Sequence, residues 1–297
     1  MTYSYKVGFV VLHYNALKST IMTVNSIKNS VKNGYIVIVD NNSPNKTGKD
    51  LIDLYKNDIQ VKVLLLDQNL GFSKGNNEGY KWIKSHKECK YICIVNNDVI
   101  FLDSDLEARL DNAYNKFGFG VLGPNIVLAD GSANIFNPKI RSKEKIEYDI
   151  NQFEKELARL DKRSYLGQII RDMLYPIRKR AGIIKNENAG KEYKEITNVL
   201  LHGCCLFLSP LYIEKFANAF FEATFMYCEE ELLYLRCMRN NIKTLYFDDI
   251  HVKHLEKVST NTQFYDNRKR RIVQLRNLIY SHNKLLFYLN DKENNLI

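Results

Sequence analysis

The chain has 297 residues and 45% hydrophobic content, enough to bury one sizeable core and too little polar bias for a disordered chain. Its six cysteines sit in or beside apolar runs and none forms a Cys-x-x-Cys pair, which argues for buried thiols in a reducing compartment rather than a disulfide frame or a zinc site. Met1 to Tyr5 is short and polar, with no visible signal peptide, and the longest apolar run, Val199 to Ile213, is interrupted by His202, Ser209 and Pro210. A membrane span of about 20 apolar residues is therefore not expected, and a cytoplasmic location is.

Lys6 to His13 reads as a strand ended by Tyr14 and Asn15, and Leu17, Ile21, Val24, Ile27 and Val31 recur at near-helical spacing up to Gly34. Tyr35 to Val39 is a second strand running into Asp40-Asn41-Asn42-Ser43-Pro44, which completes a βαβ unit. Leu51 to Tyr55 is a short helix and Val61 to Leu66 a third strand. The next stretch, Asp67 to Asn77, carries two glycines and reads as a loop leading into a helix through Trp82 and Ile83. Tyr91 to Val95 is a strand of buried character that opens onto Asn96, Asn97 and Asp98. A helix across Leu106 to Phe117 and a strand near Val121 to Pro124 follow. The alternation predicts an α/β protein with a doubly wound, mainly parallel sheet.

From Lys139 to Glu195 the pattern changes to mixed charge, with 15 basic and 10 acidic residues. Ile150, Phe153, Leu157 and Leu160 share a helical face, and Leu166 to Leu174 suggests a second apolar stripe, so this region reads as a helical insertion ending in a mobile stretch from Lys185. Strand character returns at Val199 to Leu208. Pro210 opens a helix, another spans Glu229 to Asn240, and short strands lie near Thr244 to Phe247 and His251 to Lys253. The reading is one domain over residues 1–260, with a nucleotide-binding half at 1–128 and a catalytic half at 196–260, followed by a basic amphipathic segment at 261–297. Residues 250–297 hold 9 basic and 4 acidic residues, so the insertion and the tail together carry +10 and the remainder −1 of the net charge of +9. Such stretches suit an anionic membrane or partner, or are solvated faces.

Four polar clusters fall at strand ends or helix starts: Asp40, Asp98, Glu229-Glu230 and His254. In a doubly wound sheet the strand ends converge on one edge, where ligands bind. Asp98 would stand there as a hard oxygen ligand suited to Mg²⁺ or Mn²⁺, or Asn96 to Asp98 would simply form a turn. Two separate acidic sites suit a metal-assisted group transfer, one carboxylate holding the cation and the other accepting a proton from the attacking hydroxyl.

The stretches VVLHYN (Val10 to Asn15), VDNNS (Val39 to Ser43), NLGFSKGNNEGY (Asn69 to Tyr80), NND (Asn96 to Asp98), HGCCLFL (His202 to Leu208), FMYCEEELLYLRCMRNN (Phe225 to Asn241) and HVKHLEKVS (His251 to Ser259) occur in one order. Together they resemble a family 2 inverting glycosyltransferase of the GT-A fold, in pattern like the rhamnosyltransferase-like members of bacterial surface-polysaccharide synthesis. The resemblance implies a nucleoside-diphosphate sugar donor, dTDP- or UDP-linked, and a saccharide acceptor, lipid-linked in such pathways. Asp40 resembles the carboxylate that binds the donor nucleoside, with Tyr14, Asn15, Asn42, Gly71, Lys74, Asn77 and Asn97 completing the implied donor site. Asp98 resembles the last acid of the family's Asp-x-Asp motif and His254 a histidine near the metal or diphosphate, so both are candidate ligands of a divalent cation, Mn²⁺ or Mg²⁺. Asn96 replaces the first acid, leaving one carboxylate fewer for the ion. Glu230 falls where the family has its catalytic base. Glu229 and Glu231 remain open as alternatives, and Lys74 is either a phosphate or base contact or a solvated lysine.

Two other functions fit less of the chain. A sugar-1-phosphate nucleotidyltransferase would share the sheet type, but no glycine-rich, arginine-bearing phosphate loop follows the first strand. A nucleic-acid or anionic-surface binding protein is suggested by Arg268 to Arg271 and Arg178 to Arg180, yet no nucleic-acid motif accompanies them, and no nucleic-acid partner is expected. The tail from Gln263 to Leu289 places basic residues before apolar bulk, an order that suits peripheral docking on a membrane or an ordinary packed terminal helix.

Overall fold

The computed structural model describes residues 3–128, 136–137, 139–161, 195–255, 267–291, 293, 294 and 296. Strand β1 (Tyr5–His13), helix α1 (Leu17–Ser30), β2 (Gly34–Asp40), α2 (Thr47–Tyr55), β3 (Val61–Leu65), α3 (Gly71–His86) and β4 (Cys89–Asn96) realise the expected alternation. They are followed by β5 (Val99–Phe101), α4 (Leu106–Phe117), β6 (Val121–Leu128), β7 (Phe136–Asn137) and α5 (Lys143–Asp161). The remaining elements are β8 (Glu195–Thr197), β9 (Leu200–Leu201), β10 (Cys205–Leu208), α6 (Pro210–Lys215), α7 (Glu229–Arg239), β11 (Thr244–His254) and α8 (Asn267–Asn290). The expected second stripe at Leu166 to Leu174, the basic run Arg178 to Arg180 and the stretch from Lys185 to Lys194 lie outside the described residues.

The main sheet runs β3-β2-β1-β4-β10-β6-β11-β5, with β8 on β11. Its long ladders, β1 with β2 and β4, β2 with β3, and β6 with β11, are parallel. Strand β10 is antiparallel to β4 and β6, and β5 and β8 are antiparallel to β11, so the sheet is mixed and mostly parallel. This reversal positions the site. Because Cys205 pairs with Val95 and the Asn96 amide donates to Cys204 O at 2.8 Å, the amino end of β10 lies where β4 ends.

Side chains alternate between two buried faces, which is why the central strands read as continuous apolar runs. Val7, Phe9 and Val11 pack with α1, α2 and α4, whereas Val10, Val37 and Val39 pack with Tyr80 and Ile83 of α3, Tyr212 of α6, and Leu233 and Cys237 of α7. A third cluster joins Ile146 and Ile150 of α5, Cys228, Leu232 of α7 and Leu285 of α8. All six cysteines are free and buried.

Three elements differ from the sequence reading. Residues 71–77 belong to α3 rather than to a loop, and Gly75 serves close approach to the sheet, as does Gly79 one turn later: a Cβ on Gly75 would lie 2.7 Å from Leu12 Cδ1, and one on Gly79 2.4 Å from Val10 Cγ1. The expected strand from Val199 to Leu208 is split into β9 and β10 by a turn at His202 to Cys204. The two short strands after α7 are one strand, β11, with an irregularity between Phe247 and His251.

Candidate active site

One side of the candidate site is built where β1 and β2 end, with His13 in register with Asp40. Asp40 is buried, and its Oδ1 accepts hydrogen bonds from the Ser43 amide at 3.1 Å and the Ser43 hydroxyl at 2.5 Å. Ser43 Oγ in turn accepts from the Asn15 amide at 2.9 Å. Asn15 adopts φ 62°, its carbonyl accepts from Asn45 Nδ2 at 2.9 Å, and its own Oδ1 is buried without a partner among the described residues. A Cβ at Gly48 would stand 2.0 Å from Asp40 Oδ2, so only glycine lets α2 start against that carboxylate. Tyr14 is half-buried beside this loop.

His13 is fully buried and ties this side to the next. Its Nδ1 lies 2.7 Å from Thr20 Oγ1 and its Nε2 2.9 Å from Thr47 Oγ1. The Thr20 hydroxyl donates to Ala16 O at 3.1 Å and accepts from Asn97 Nδ2 at 3.1 Å, while the Thr47 hydroxyl donates to Asn45 Oδ1 at 2.7 Å. Burial lowers the His13 pKa, while the Asp40 carboxylate pulls it the other way.

Several residues of the expected donor site are committed to the scaffold. Asn77 is fully buried, its amide protons go to Phe220 O and Glu222 Oε1 at 2.9 and 3.0 Å, and its Oδ1 accepts from the Phe220 amide at 2.8 Å. It staples α3 to the loop before α7 instead of facing the crevice. Gly71 adopts φ 79°, and a Cβ there would lie 2.1 Å from Phe225 O, so its contribution is close approach of two backbones. Asn97 is buried on Thr20, Asn42 donates to Asp67 O at 3.1 Å, and Lys74 is exposed on α3.

The strand pairing explains how Asp98 and His254 meet from opposite halves of the chain. His254 pairs with Val99, and the Leu255 amide donates to Asp98 O at 2.9 Å. Asp98 Oδ1 lies 3.2 Å from His254 Nε2, with side chains only 7% and 13% exposed. A carboxylate and an imidazole can share a divalent cation that completes its shell with other oxygens, the carboxylate suiting Mg²⁺ or Mn²⁺ and the imidazole a softer ion. They do not make an all-protein cage, and no group of three or more metal-ligating side chains occurs among the described residues. The His202 ring lies 5.7 Å from that of His254, and His202 Nδ1 accepts from the Cys204 amide at 3.1 Å, so a neutral His202 carries its proton on Nε2.

The structure separates the three consecutive glutamates at the start of α7. Glu231 is buried and held by Arg141, whose Nε and Nη2 reach its two carboxylate oxygens at 2.7 and 2.5 Å. Glu229 is buried, and its carboxyl is pushed up to about 8, first by burial and then by the neighbouring Glu230 carboxylate. Glu230 is half-buried and accepts from the Gly203 amide at 3.3 Å, on the turn that also holds His202. The buried Cys204 thiol is raised well above its ordinary value by burial, then by Cys205, Asp98 and Glu230. Glu230 thus bonds this turn directly, and Asp98 approaches it through His254, whose ring lies beside His202.

The family model for glycosyl transferase family 2 matches residues 9–175, more than half of the chain. The chain belongs to glycosyl transferase family 2. Among solved structures, this family 2 chain is similar to S. aureus TarS 1-349 in complex with UDP, at 14% identity and a TM-score of 0.51, covering 91% of this chain and 65% of that one. A second structure of S. aureus TarS 1-349 gives 14% identity and a TM-score of 0.51, covering 93% of this chain and 72% of that one. A partial match to TarS 1-349 in complex with UDP-GlcNAc has 19% identity and a TM-score of 0.37, spanning 46% of this chain and only 37% of that one. The first two likenesses, which take in most of this chain but 65% and 72% of the TarS fragment, establish the GT-A α/β fold. No curated protein sequence matches the chain.

Within this family 2 fold, two site residues escaped the sequence reading as candidates although both lie in quoted motifs. His13 sits inside VVLHYN at a strand end, and a polar residue closing an otherwise apolar strand was the available signal. His202 opens HGCCLFL but falls within a run read as one continuous strand, and only the turn between β9 and β10 brings it to the edge. Arg141 had no local signal at all.

Proposed function

We propose that the chain is an inverting glycosyltransferase that moves a sugar from a UDP- or dTDP-linked donor to a hydroxyl of a saccharide acceptor. The observation that carries this reading is the convergence of Asp98, paired with His254, and Glu230, bonded to Gly203, on the His202 to Cys204 turn. One group can then face the leaving diphosphate while another faces the attacking hydroxyl.

In this reading Asp40, with the Asn15 and Ser43 loop, holds the nucleoside. The acceptor oxygen attacks the anomeric carbon as its proton passes to Glu230. The bond from that carbon to the diphosphate oxygen breaks, and its electron pair leaves with the nucleoside diphosphate. A single displacement inverts the anomeric configuration. Asp98 and His254 would hold Mn²⁺ or Mg²⁺, whose chemistry is to neutralise charge on the departing diphosphate. A general base contributes about 10²- to 10⁴-fold, and charge stabilisation on the leaving group contributes more.

Membership of the rhamnosyltransferase-like subgroup, action in polysaccharide synthesis on the cytoplasmic face of the membrane, and a lipid-linked acceptor are the finer parts of this proposal. No described helix is long and apolar enough to cross a membrane. Val273, Tyr280 and Phe287 of α8, spaced seven residues apart, are 42%, 51% and 57% exposed, with Lys269 and Arg276 exposed on the same helix. That face suits peripheral contact with anionic lipid. No observation favours sugar-1-phosphate nucleotidyl transfer or nucleic-acid binding.

The test is a thermal-shift screen of UDP, dTDP and their sugars, with and without Mn²⁺, followed by NMR of the product's anomeric centre. A specific nucleotide raises the melting temperature by mass action, and an inverted product is expected. Retention of configuration, or no response to any nucleoside diphosphate, would overturn the proposal.

A further inference from the structure

The residues just before the base-bearing helix adopt a costly backbone. Tyr227 and Cys228 have φ 76° and 66°, two consecutive non-glycine residues in the left-handed region, directly ahead of Glu229 and Glu230. Such conformations cost of order 1 to 3 kcal/mol each and persist only where surrounding contacts over-determine them. Those contacts come from the insertion and the C-terminal helix, outside the crevice. Ser281 of α8 donates to Met226 O at 2.7 Å, and Cys228 is buried among Ile146, Ile150, Leu232 and Leu285.

Arg141, just ahead of α5, joins the three pieces. It grips Glu231 through Nε and Nη2, while Nη1 lies 3.2 Å from Asp149 Oδ2 and 2.7 Å from His282 Nε2, and Nη2 lies 3.6 Å from Cys228 Sγ. His282 Nδ1 donates to Leu278 O at 2.7 Å, so Nε2 is free to accept the Arg141 proton. One planar guanidinium thereby fixes the first turn of α7 to both α5 and α8, a fork that lysine cannot reproduce. Glu231 is the next residue after Glu230.

We propose that Arg141 is a positioning residue for Glu230, and that the insertion and C-terminal helix act as a clamp setting the carboxylate of the base against Gly203. This rests on the assignment of Glu230 as base. A group that places the base acts on the chemical step and leaves donor binding alone.

The experiment compares the full-length wild type with Arg141→Lys, Arg141→Gln, Ser281→Ala and Glu230→Gln, measuring kcat and donor KM, UDP and dTDP affinity by calorimetry, and melting temperature. The expected result is a kcat at least tenfold lower in both Arg141 variants and about threefold lower in Ser281→Ala, with donor KM and nucleotide affinity within twofold. Combining Arg141→Gln with Glu231→Gln should cost no more than the worse single change. Should the Arg141 variants fail to fold, Ser281→Ala decides by the same split. Unchanged kcat in the clamp variants while Glu230→Gln is inactive would overturn the clamp and leave the base assignment standing. Parallel loss of kcat and nucleotide affinity would also overturn it, by making the contact merely structural. Full activity of Glu230→Gln would instead remove the base assignment, and the clamp with it.

Discussion

Replacing Glu229 by Gln should make the protein's stability less sensitive to rising pH. The Glu229 carboxyl moves from 4.5 in an open chain to about 8 in the fold, because burial disfavours its charged form and the Glu230 carboxylate adds to the effect. Between those values the folded state keeps a proton that the unfolded state releases. This contribution is therefore fully present below pH 4.5 and is lost as pH rises through 8. With each pKa unit worth 1.36 kcal/mol, the interval from about pH 5 to pH 8 costs wild type on the order of 3 kcal/mol. Gln keeps the shape and one hydrogen-bond acceptor but cannot ionise. Urea unfolding of both proteins across that interval should show the variant's stability relative to wild type rising by roughly that amount. Glu230→Gln should remove a smaller part of the slope, since its charge is the second cause. A flat difference curve, within about 0.5 kcal/mol, would mean that Glu229 is not held neutral and that the burial argument fails.

Four further outcomes are expected. Glu230→Gln lowers turnover more than tenfold with UDP or dTDP affinity nearly unchanged in calorimetry, and loss of nucleotide binding would sink its role as base. Asp98→Asn loses most transferase activity while circular dichroism shows an intact fold, because no second carboxylate stands in the Asn96 to Asp98 turn; wild-type turnover would refute the ligand assignment. Gly79→Val destabilises by about 1 to 3 kcal/mol in urea, since even the first added carbon meets Val10 Cγ1 at 2.4 Å. Changing the exposed Tyr280 and Phe287 to Ser weakens co-sedimentation with anionic vesicles, and equal binding by both proteins would remove the membrane contact.

The strand ends were legible because a buried strand that closes on Asp or Asn is a local pattern, visible at Asn15, Asp40 and Asp98 without any tertiary knowledge. The meeting of Asp98 with His254 also followed in outline, since parallel strands deliver their carboxyl ends to one edge. What sequence could not decide was which of three adjacent glutamates faces that edge. Helical spacing of about 100° separates their directions, but only the partners on each side, Arg141 for Glu231 and Gly203 for Glu230, assign them. Gly75 misled for a related reason: it is a breaker by propensity, yet it lies four residues before Gly79 on one helix face where the sheet comes closest.

The charged insertion and tail show the same limit more sharply. Composition assigns both to surfaces and suggests two basic appendages, yet α5 and α8 pack together. Arg271 grips Glu156 at 3.0 and 2.7 Å, Arg268 donates to Leu160 O at 3.1 and 2.6 Å, and Lys143 reaches Asn290. A pair such as Arg271 with Glu156 spans 115 residues, so no local window can reveal it. Arg268 and Arg271 of the basic run are thus tied to α5, and membrane attraction would have to come from other exposed cations such as Arg276. The same packing brings Ser281 and His282 against the start of α7. A segment that reads as an anchor is built against the start of the helix that carries Glu230, so any lipid contact made by its outer face would bear on that helix.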